Sequence, residues 1–262
     1  MSTDPRTIKA YDEFASEYDQ HVSDGANSFL HEYYEKPAIR AELGSIKGKS
    51  ILSLGCGSGD DTAWLQSNGA KEVIGVDISK NLIAIARGKY PNVEFEVMDM
   101  ENLSFDDSKF DMVYSSLALH YVSDWNKLFE QIYRVLKPGG RVVFSCNHPL
   151  ETAMQAFRGE SSYGVHIGRT IDNVTKQRKI YGDYMSTKDN GVRLRTNTFA
   201  DEHTVYSYHR TFGSMANSII NSGLSIQKVV EPVPLPELQK HSQEHYKQVL
   251  KTPKFIIWVL EK

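Results

Sequence analysis

The 262-residue sequence predicts an α/β fold built on a mainly parallel sheet. Three observations lead to this prediction. Short apolar runs alternate with amphipathic stretches from Lys49 onward, a glycine-rich turn follows the first run directly, and two further apolar runs lie near the C-terminus. The alternation is typical of strands that are joined by crossover helices, and a chain of this length suits one domain of the class.

Five short apolar runs predict the first five strands, at residues 50–54, 73–76, 93–97, 110–114 and 141–144. Between the fourth and fifth runs, apolar residues recur at spacings of three and four from Trp125 to Leu136. This spacing predicts a helix that covers the sheet. The sequence Lys-Pro-Gly-Gly at residues 137–140 is expected to end that helix.

The C-terminal part predicts one more helix, from Phe212 to about Ile220, and two strands at residues 224–230 and 255–260. No helical crossover is obvious between those strands, because prolines and polar residues fill the gap. We therefore predict an antiparallel closing pair at one edge of the sheet. Residues 149–208 show neither the strand nor the helix spacing of apolar residues, and an insertion of this length is usually a lid or a binding element.

Composition and charge exclude several classes of protein. The chain has 30 Lys+Arg against 33 Asp+Glu, a formal net charge of -3, which disfavours a nucleic-acid partner. Its first residues are charged and no apolar run approaches the length of a membrane span, so we expect a cytoplasmic protein without a membrane partner. Cys56 and Cys146 are too few and too far apart for a disulfide framework, and no metal site is expected.

The strongest functional signal is the turn Leu-Gly-Cys-Gly-Ser-Gly-Asp at residues 54–60, directly after the first predicted strand. Glycines at this place let the backbone turn sharply and approach a ligand that any Cβ would obstruct. The turn therefore predicts a nucleotide-type ligand.

Two acids end the next two predicted strands. Asp77 is placed to accept hydrogen bonds from two ribose hydroxyls, and its alternative role is to cap the next helix, which Ser79 could also do. Asp99 is placed to accept from an exocyclic amine such as that of adenine, beside the Met100 N–H, and its alternative role is that of an ordinary loop acid. All these features fall at the edge where open α/β sheets bind ligands.

Together the segments 52–59, 75–79, 110–121 and 134–140 resemble the class I S-adenosylmethionine-dependent methyltransferases, within them the small-molecule, methyltransferase-11 group. The resemblance implies a Rossmann-like seven-stranded mixed sheet of order 3-2-1-4-5-7-6, with strand 7 antiparallel and helices on both faces. It implies S-adenosyl-L-methionine as cofactor and S-adenosyl-L-homocysteine as product. It also places the glycines at the methionine part of the cofactor, Asp77 at the ribose, and Asp99 with Met100 at the adenine. The expected cofactor residues are Tyr11, Tyr18, Ser53, Gly55, Cys56, Gly57, Gly59, Asp77, Ile78, Asp99, Met100, Ser115 and Ser116.

The chain departs from the family pattern at Ser53, where relatives usually carry Asp or Glu. The loss of that acid predicts weaker or rearranged binding of the cofactor's methionine end, where a water held by the serine could form a bridge.

The N-terminal segment resembles the tyrosine-rich helix that closes over the cofactor in many relatives. Tyr11, Phe14 and Tyr18 share one helical face, and we expect the tyrosines to contact the cofactor and Phe14 to pack on the domain.

Methyl transfer requires no universal catalytic residue, because alignment in a pocket that excludes water supplies much of the acceleration. A base helps when the nucleophile is a hydroxyl or a protonated amine. The candidate bases are His120, His148 and His209, and the alternative for each is a structural hydrogen bond. Tyr121, Tyr208 and Arg210 are expected beside the acceptor.

Residues 158–195 hold eight Lys and Arg against four Asp and Glu. This local basicity fits an acceptor with a carboxylate or phosphate, a solvated lid surface, or RNA.

The chain is expected to be one domain, monomeric or homodimeric. Its predicted parts are an N-terminal helical cap (1–47), a cofactor-binding core (48–148), a lid or acceptor-binding insertion (149–208), and a closing helix with the last two strands (209–262).

We therefore expect a methyltransferase that acts by in-line displacement on an O or N nucleophile of a small molecule. One alternative is an RNA or protein methyltransferase, which predicts a continuous basic patch at the pocket mouth. Another is a non-catalytic S-adenosylmethionine-binding protein, which predicts no route from an acceptor to the sulfonium. A nicotinamide dehydrogenase is disfavoured, since GxGxG stands where GxGxxG would be required.

Overall fold

The central feature of the fold is a seven-stranded sheet with helices on both faces, seen in a computed structural model that describes residues 3–24, 28–158, 163–172, 174–185, 191–199 and 203–262. The strands of the chain are β1 (Ser50–Leu54), β2 (Glu72–Asp77), β3 (Glu94–Val97), β4 (Phe110–Ser115), β5 (Leu136–Asn147), β6 (Gln155–Arg158), β7 (Tyr163–His166), β8 (Gly168–Ile171), β9 (Arg178–Tyr181), β10 (Val192–Phe199), β11 (His203–Arg210), β12 (Ser225–Val230) and β13 (Phe255–Glu261).

The α-helices are α1 (Pro5–Glu13), α2 (Ala15–Ser23), α3 (Lys36–Ala41), α4 (Asp60–Ser67), α5 (Lys80–Lys89), α6 (Trp125–Val135), α7 (Pro149–Ala153), α8 (Phe212–Asn221), α9 (Leu238–His241) and α10 (Gln243–Val249). A π-helix occupies His31–Glu35 and a 3₁₀-helix occupies Leu119–Tyr121.

The strand order in the large sheet is β12-β13-β5-β4-β1-β2-β3. Strands β1 to β5 pair in parallel, and β13 runs antiparallel to both β5 and β12. With β12 and β13 as the sixth and seventh strands of the sheet, this is the predicted order, and the predicted antiparallel closing pair is confirmed. The carboxyl ends of β1, β2 and β4 therefore meet at one edge of the sheet, where ligands bind in such folds.

Side chains of the central strands alternate between two apolar cores, which is what a sheet covered on both faces requires. Leu52 and Leu54 of β1 belong to the core formed with α6 and α8, whereas Ile51 belongs to the core formed with α3 and α4. The amphipathic spacing that predicted α6 is confirmed, since its apolar residues from Trp125 to Val135 are buried in the first core.

Three local predictions were incomplete. The N-terminal tyrosine segment forms two helices, α1 and α2, which are separated at Phe14. Two short helices, α9 and α10, lie between the last two strands, where no helical crossover was obvious in the sequence. The insertion, which showed no rhythm in the sequence, contains α7 and the hairpins β6–β7, β8–β9 and β10–β11.

The last hairpin joins the insertion to the N-terminal helices. Thr7 of α1 and Tyr206 of β11 exchange two hydrogen bonds, of 3.0 and 2.8 Å between the Thr7 hydroxyl and the Tyr206 backbone. His203 and Glu17 lie 2.6 Å apart. None of the helices in the described ranges has the length and the hydrophobicity that a bilayer crossing requires.

Candidate active site

A cavity of about 510 Å³ lies between the carboxyl ends of the central strands and the N-terminal helices. We call it the main cavity. Its volume is within the range of about 300–1,000 Å³ that small-molecule sites occupy. Ten of the residues predicted from the sequence line it, namely Tyr11, Tyr18, Gly55, Gly57, Asp77, Ile78, Met100, Ser116, His120 and Tyr121.

The glycine turn supplies bare backbone to this cavity. Gly55 and Gly57 have left-handed φ angles of 64° and 54°. A Cβ on Gly55 would lie 2.2 Å from the Cβ of Ala118, and one on Gly57 would lie 3.3 Å from the Tyr18 ring. Both the conformation and the close approach require glycine, and the result is a cradle that a side chain would fill. This cradle is the shape that a nucleotide-type cofactor needs.

Asp77 stands at the end of β2 and holds the glycine turn in place. One carboxylate oxygen accepts from the Gly57 N–H at 2.9 Å, and the other accepts from the Ser79 N–H at 2.9 Å. Burial raises the pKa of Asp77, and its backbone hydrogen bonds oppose that rise. Each carboxylate oxygen has a second lone pair, so the group retains the capacity to accept from two ribose hydroxyls in the cavity. Ser79, as foreseen, is the residue that caps α5.

At the end of β3 the structure separates the two residues that were predicted to bind adenine. Met100 lines the main cavity, whereas Asp99 does not. Asp99 accepts instead from the Glu101 N–H at 3.0 Å and lies 3.5 Å from the Asn102 amide nitrogen. These contacts correspond to the loop-acid alternative for Asp99.

A smaller cavity of about 40 Å³ adjoins the main one, with Tyr18, Gly55 and Ser116 in the walls of both. Ser53 and Cys56 line it, and the Ser53 hydroxyl accepts from Thr62 at 3.1 Å. The cavity is also lined by two acids from the start of α4 and by a lysine of α3, which are Asp60, Asp61 and Lys36.

Asp61 supplies a carboxylate near the position where relatives carry an acid at residue 53. It accepts from the Tyr114 hydroxyl at 2.9 Å and forms an ion pair with Arg40, also at 2.9 Å. Ser53 lines the same small cavity, so the carboxylates at this place belong to α4 and not to β1.

Three tyrosines cover the main cavity. The hydroxyls of Tyr11 and Tyr121 are 2.7 Å apart, and the Tyr11 ring meets the rings of Tyr18 and Tyr121 edge to face at 5.5 and 5.6 Å. Burial raises the pKa of all three phenols, so they remain neutral. Phe14 is buried and stacks on His203, which agrees with its predicted packing role.

Of the three candidate bases, His120 lines the main cavity and the other two do not. His120 is 5% exposed, and its Nδ1 atom is buried without a hydrogen bond to any residue in the described ranges. Burial, together with the charges of Arg210 and Arg195, lowers the pKa of His120 to about 3. The imidazole is therefore neutral near pH 7, with an unsatisfied nitrogen.

His148 and His209 have protein partners for both ring nitrogens. His148 caps α7 by accepting from the Leu150 N–H at 3.1 Å, and its other nitrogen lies 3.1 Å from Glu231. His209 bridges the Thr152 hydroxyl at 2.6 Å and the Tyr184 carbonyl at 2.9 Å. The structural alternative accounts for both histidines.

The remaining predicted residues also lie outside both cavities. Arg210 donates to the carbonyls of Val122 and Ser123 at 2.5 and 2.6 Å. Its guanidinium lies 5.6 Å from the centre of the Tyr208 ring. Burial lowers the pKa of Arg210 to about 9. Ser115 donates to the Leu54 carbonyl at 2.9 Å, which joins β4 to β1. A Cβ on Gly59 would lie 2.7 Å from the Phe95 ring, so Gly59 serves packing.

Sequence reasoning missed a polar group on the π-helix. Glu35 is fully buried and accepts from the hydroxyls of Ser116 and Ser145, while its second oxygen lies 2.9 Å from His31 Nε2. His31 lines both cavities and is also 3.1 Å from the Ser116 hydroxyl. The available signal was the i, i+4 spacing of His31 and Glu35, which needs the helix to be known first.

The insertion places Glu151, Arg195 and Asn197 in the wall of the main cavity. Among its other basic residues, the side chains of Arg158 and Arg169 and the whole of Lys188 lie outside the described residues. Within the described ranges, no group of three or more His, Cys, Asp or Glu side chains is placed to hold a metal ion.

Comparison with known proteins gives results that agree with this geometry. A family model for a methyltransferase domain matches residues 52–144. A crystal structure of an S-adenosylmethionine-dependent methyltransferase from Mesorhizobium loti superposes with a TM-score of 0.68 at 31% identity, over 87% of this chain and 97% of that one.

Two named relatives match over shorter stretches. A demethylmenaquinone methyltransferase of Lactococcus lactis is 34% identical over 58% of this chain and 63% of its own. Phosphoethanolamine N-methyltransferase 3 of Arabidopsis thaliana is 35% identical over 39% of this chain and 22% of its own. The chain thus spans less than two thirds of the length of either relative.

Proposed function

The chain belongs to the class I S-adenosylmethionine-dependent methyltransferases, and on that premise we propose that it methylates a small molecule bound in the main cavity. The observation that carries the proposal is the continuity of this cavity. Its wall includes both the glycine turn with Asp77 and the insertion residues Glu151 and Arg195, around a volume of about 510 Å³. A cofactor and an acceptor can therefore meet in one cavity.

We propose that the cofactor end is formed by the residues that line the two cavities. Gly55 and Gly57 provide the cradle, Asp77 accepts from the ribose hydroxyls, and Met100 borders the base. Tyr18, Ser53 and Ser116 border the methionine part, where Asp61 and Lys36 supply charge. When it is bound there, S-adenosylmethionine supplies an electrophilic methyl group on a sulfonium.

The chain contributes alignment and the exclusion of water. Tyr11, Tyr18 and Tyr121 form an aromatic cover over the cavity, and the sheet edge forms its floor. His120 is the candidate that reaches this space, and its low pKa suits it to accept a hydrogen bond from the acceptor rather than to hold a proton. We propose that it positions a hydroxyl or amine for in-line attack.

Other features favour a small acceptor over RNA or protein. A macromolecular acceptor predicts a continuous basic patch at the cavity mouth, yet Arg195 is the basic side chain of the insertion that lines the cavity in the described ranges. Arg193 forms an ion pair with Asp183, and Lys179 lies over the Tyr181 ring. The names of the two relatives above also refer to small acceptors.

The domain parts keep their proposed roles. Residues 1–47 form the cap, 48–148 the cofactor core, 149–208 the acceptor element, and 209–262 the closing part of the sheet. The structure adds one detail, since β11 extends to Arg210 and carries the insertion to that residue.

The test is transfer of labelled methyl from S-adenosylmethionine into a cell extract that is afterwards separated into small metabolites, RNA and protein. We expect the label in the metabolite fraction, and no label there with Gly57→Val, which fills the cradle. Label in RNA or in protein would contradict the proposal. Absence of label from every fraction, with cofactor binding intact, would also count against it.

A further inference from the structure

Arg195 of β10 is a charged side chain that faces the main cavity without a partner. It is partly buried, and it makes no hydrogen bond or ion pair with any residue in the described ranges. Burial lowers the pKa of Arg195, and the like charge of Arg193 lowers it further. Holding a guanidinium away from water in this way is unfavourable unless a ligand compensates it.

Arg193 lies on the same strand as Arg195 but has a protein partner. Its Nε atom lies 3.6 Å from the Asp183 carboxylate, and it donates to the Asp183 carbonyl at 3.2 Å. Arg193 does not line the cavity. The two arginines are two residues apart on one strand. They differ in that Arg195 lines the cavity and Arg193 has a protein partner.

Glu151 of α7 lines the same cavity and acts electrostatically on Arg195. The two side chains do not form an ion pair, since no contact within 4.0 Å joins them in the described structure. An acid and a base that face one cavity without touching leave room for a ligand between them. His120 lines the same cavity, and the charge of Arg195 contributes to the lowering of its pKa.

We propose that the methyl acceptor carries an oxyanion, a carboxylate or a phosphate, and that Arg195 binds this group. The planar guanidinium offers donors in a fork that matches both oxyanions, which a point charge does not. Glu151 then faces the opposite side of the acceptor and accepts a hydrogen bond from an amino or hydroxyl group of it. This inference names the acceptor class of the function proposed above and rests on that proposal.

The test uses the wild-type protein, the metabolite fraction of a cell extract and labelled S-adenosylmethionine, and the labelled product is identified by mass spectrometry. We expect a product with a carboxylate or a phosphate, and its mass distinguishes the two. A labelled metabolite with neither group would overturn this inference and leave the small-molecule proposal standing. Label confined to RNA or protein would overturn both.

The identified acceptor is then assayed with variants. Arg195→Gln should raise its KM about 10- to 100-fold while the Kd for S-adenosylmethionine stays within about twofold, because charge-assisted hydrogen bonds are lost at the acceptor end alone. Arg195→Lys keeps the charge but loses the planar arrangement of donors, so its KM should lie between those of wild type and Arg195→Gln. Arg193→Gln is the matched control and should leave KM unchanged. Equal KM values for wild type, Arg195→Gln and Arg195→Lys would overturn the inference.

Discussion

The Asp77 carboxylate has two tasks at the scale of a single residue. It accepts from the backbone of Gly57 and Ser79, which fixes the glycine turn, and it faces the cavity where we place the ribose. The sequence predicted this residue because a strand end and a glycine turn define its position. It did not predict that Asp99 turns into its own loop, because the side-chain direction there depends on hydrogen bonds to Glu101 and Asn102.

Asp77→Asn should weaken cofactor binding without unfolding the protein. The amide replaces one acceptor with a donor, so a backbone N–H loses its partner and the ribose contact is weakened. We expect a loss of about 1.5–3 kcal/mol in calorimetric binding of S-adenosylmethionine, the range for hydrogen bonds to charged groups. Asp106→Asn, an exposed site outside the cavities, is the control. Equal affinities for the two variants would remove Asp77 from the site.

His120 should make the protein less stable in acid. Its pKa falls from 6.5 in the unfolded chain to about 3 in the folded one, so the unfolded state binds more protons between these values. Its contribution to stability is complete above pH 6.5 and is lost as the pH falls toward 3.

Comparing urea unfolding at pH 6.5 and pH 5 tests this. Wild type should lose about 1.6 kcal/mol more than His120→Gln over the interval, because the slope reaches roughly 1.36 kcal/mol per pH unit only once the unfolded histidine is fully protonated. His148 and His209 remain in both proteins, and burial lowers the pKa of each, so the difference isolates His120. Identical pH dependence in both proteins would show that His120 is protonated in the folded state.

At the scale of elements, the π-helix explains how the N-terminal part is attached to the sheet. Glu35 reaches Ser116 after β4 and Ser145 in β5, so one buried carboxylate ties the segment to the two strand ends beside the cavity. Amphipathic spacing foretold α6, because a long helix on a sheet carries a strong pattern. It did not foretell the π-helix, the break at Phe14, or the short α9 and α10, which lack such a pattern.

Glu35→Ala should destabilise the fold by about 2–3 kcal/mol, because buried hydroxyls lose a charged acceptor. Glu35→Gln, which keeps an acceptor oxygen, should cost less. Glu13→Ala at the end of α1 removes an exposed ion pair with Lys9 and should cost about 1 kcal/mol or less. Urea unfolding measures all three. A loss for Glu35→Ala no greater than that for Glu13→Ala would contradict the role given to Glu35.

At the scale of the whole molecule, three distant parts of the chain surround one cavity. The N-terminal helices, the sheet edge and the last hairpin of the insertion each supply part of its wall, and the bonds between Thr7 and Tyr206 join the first and third. Strand periodicity and family resemblance predicted the sheet. They could not bring Arg195 to the cavity that His120 lines, since that requires the path of the folded insertion, which has no periodic signal in the sequence.

The most direct test of this account is a crystal structure of the protein with S-adenosylhomocysteine. We predict that the ribose hydroxyls contact Asp77, that the homocysteine part lies toward Tyr18 and Ser116, and that the space beside Arg195 and Glu151 stays free of the cofactor product for an acceptor. A product molecule bound away from the glycine turn, or one that fills the Arg195 end of the cavity, would contradict the claim that cofactor and small acceptor meet there.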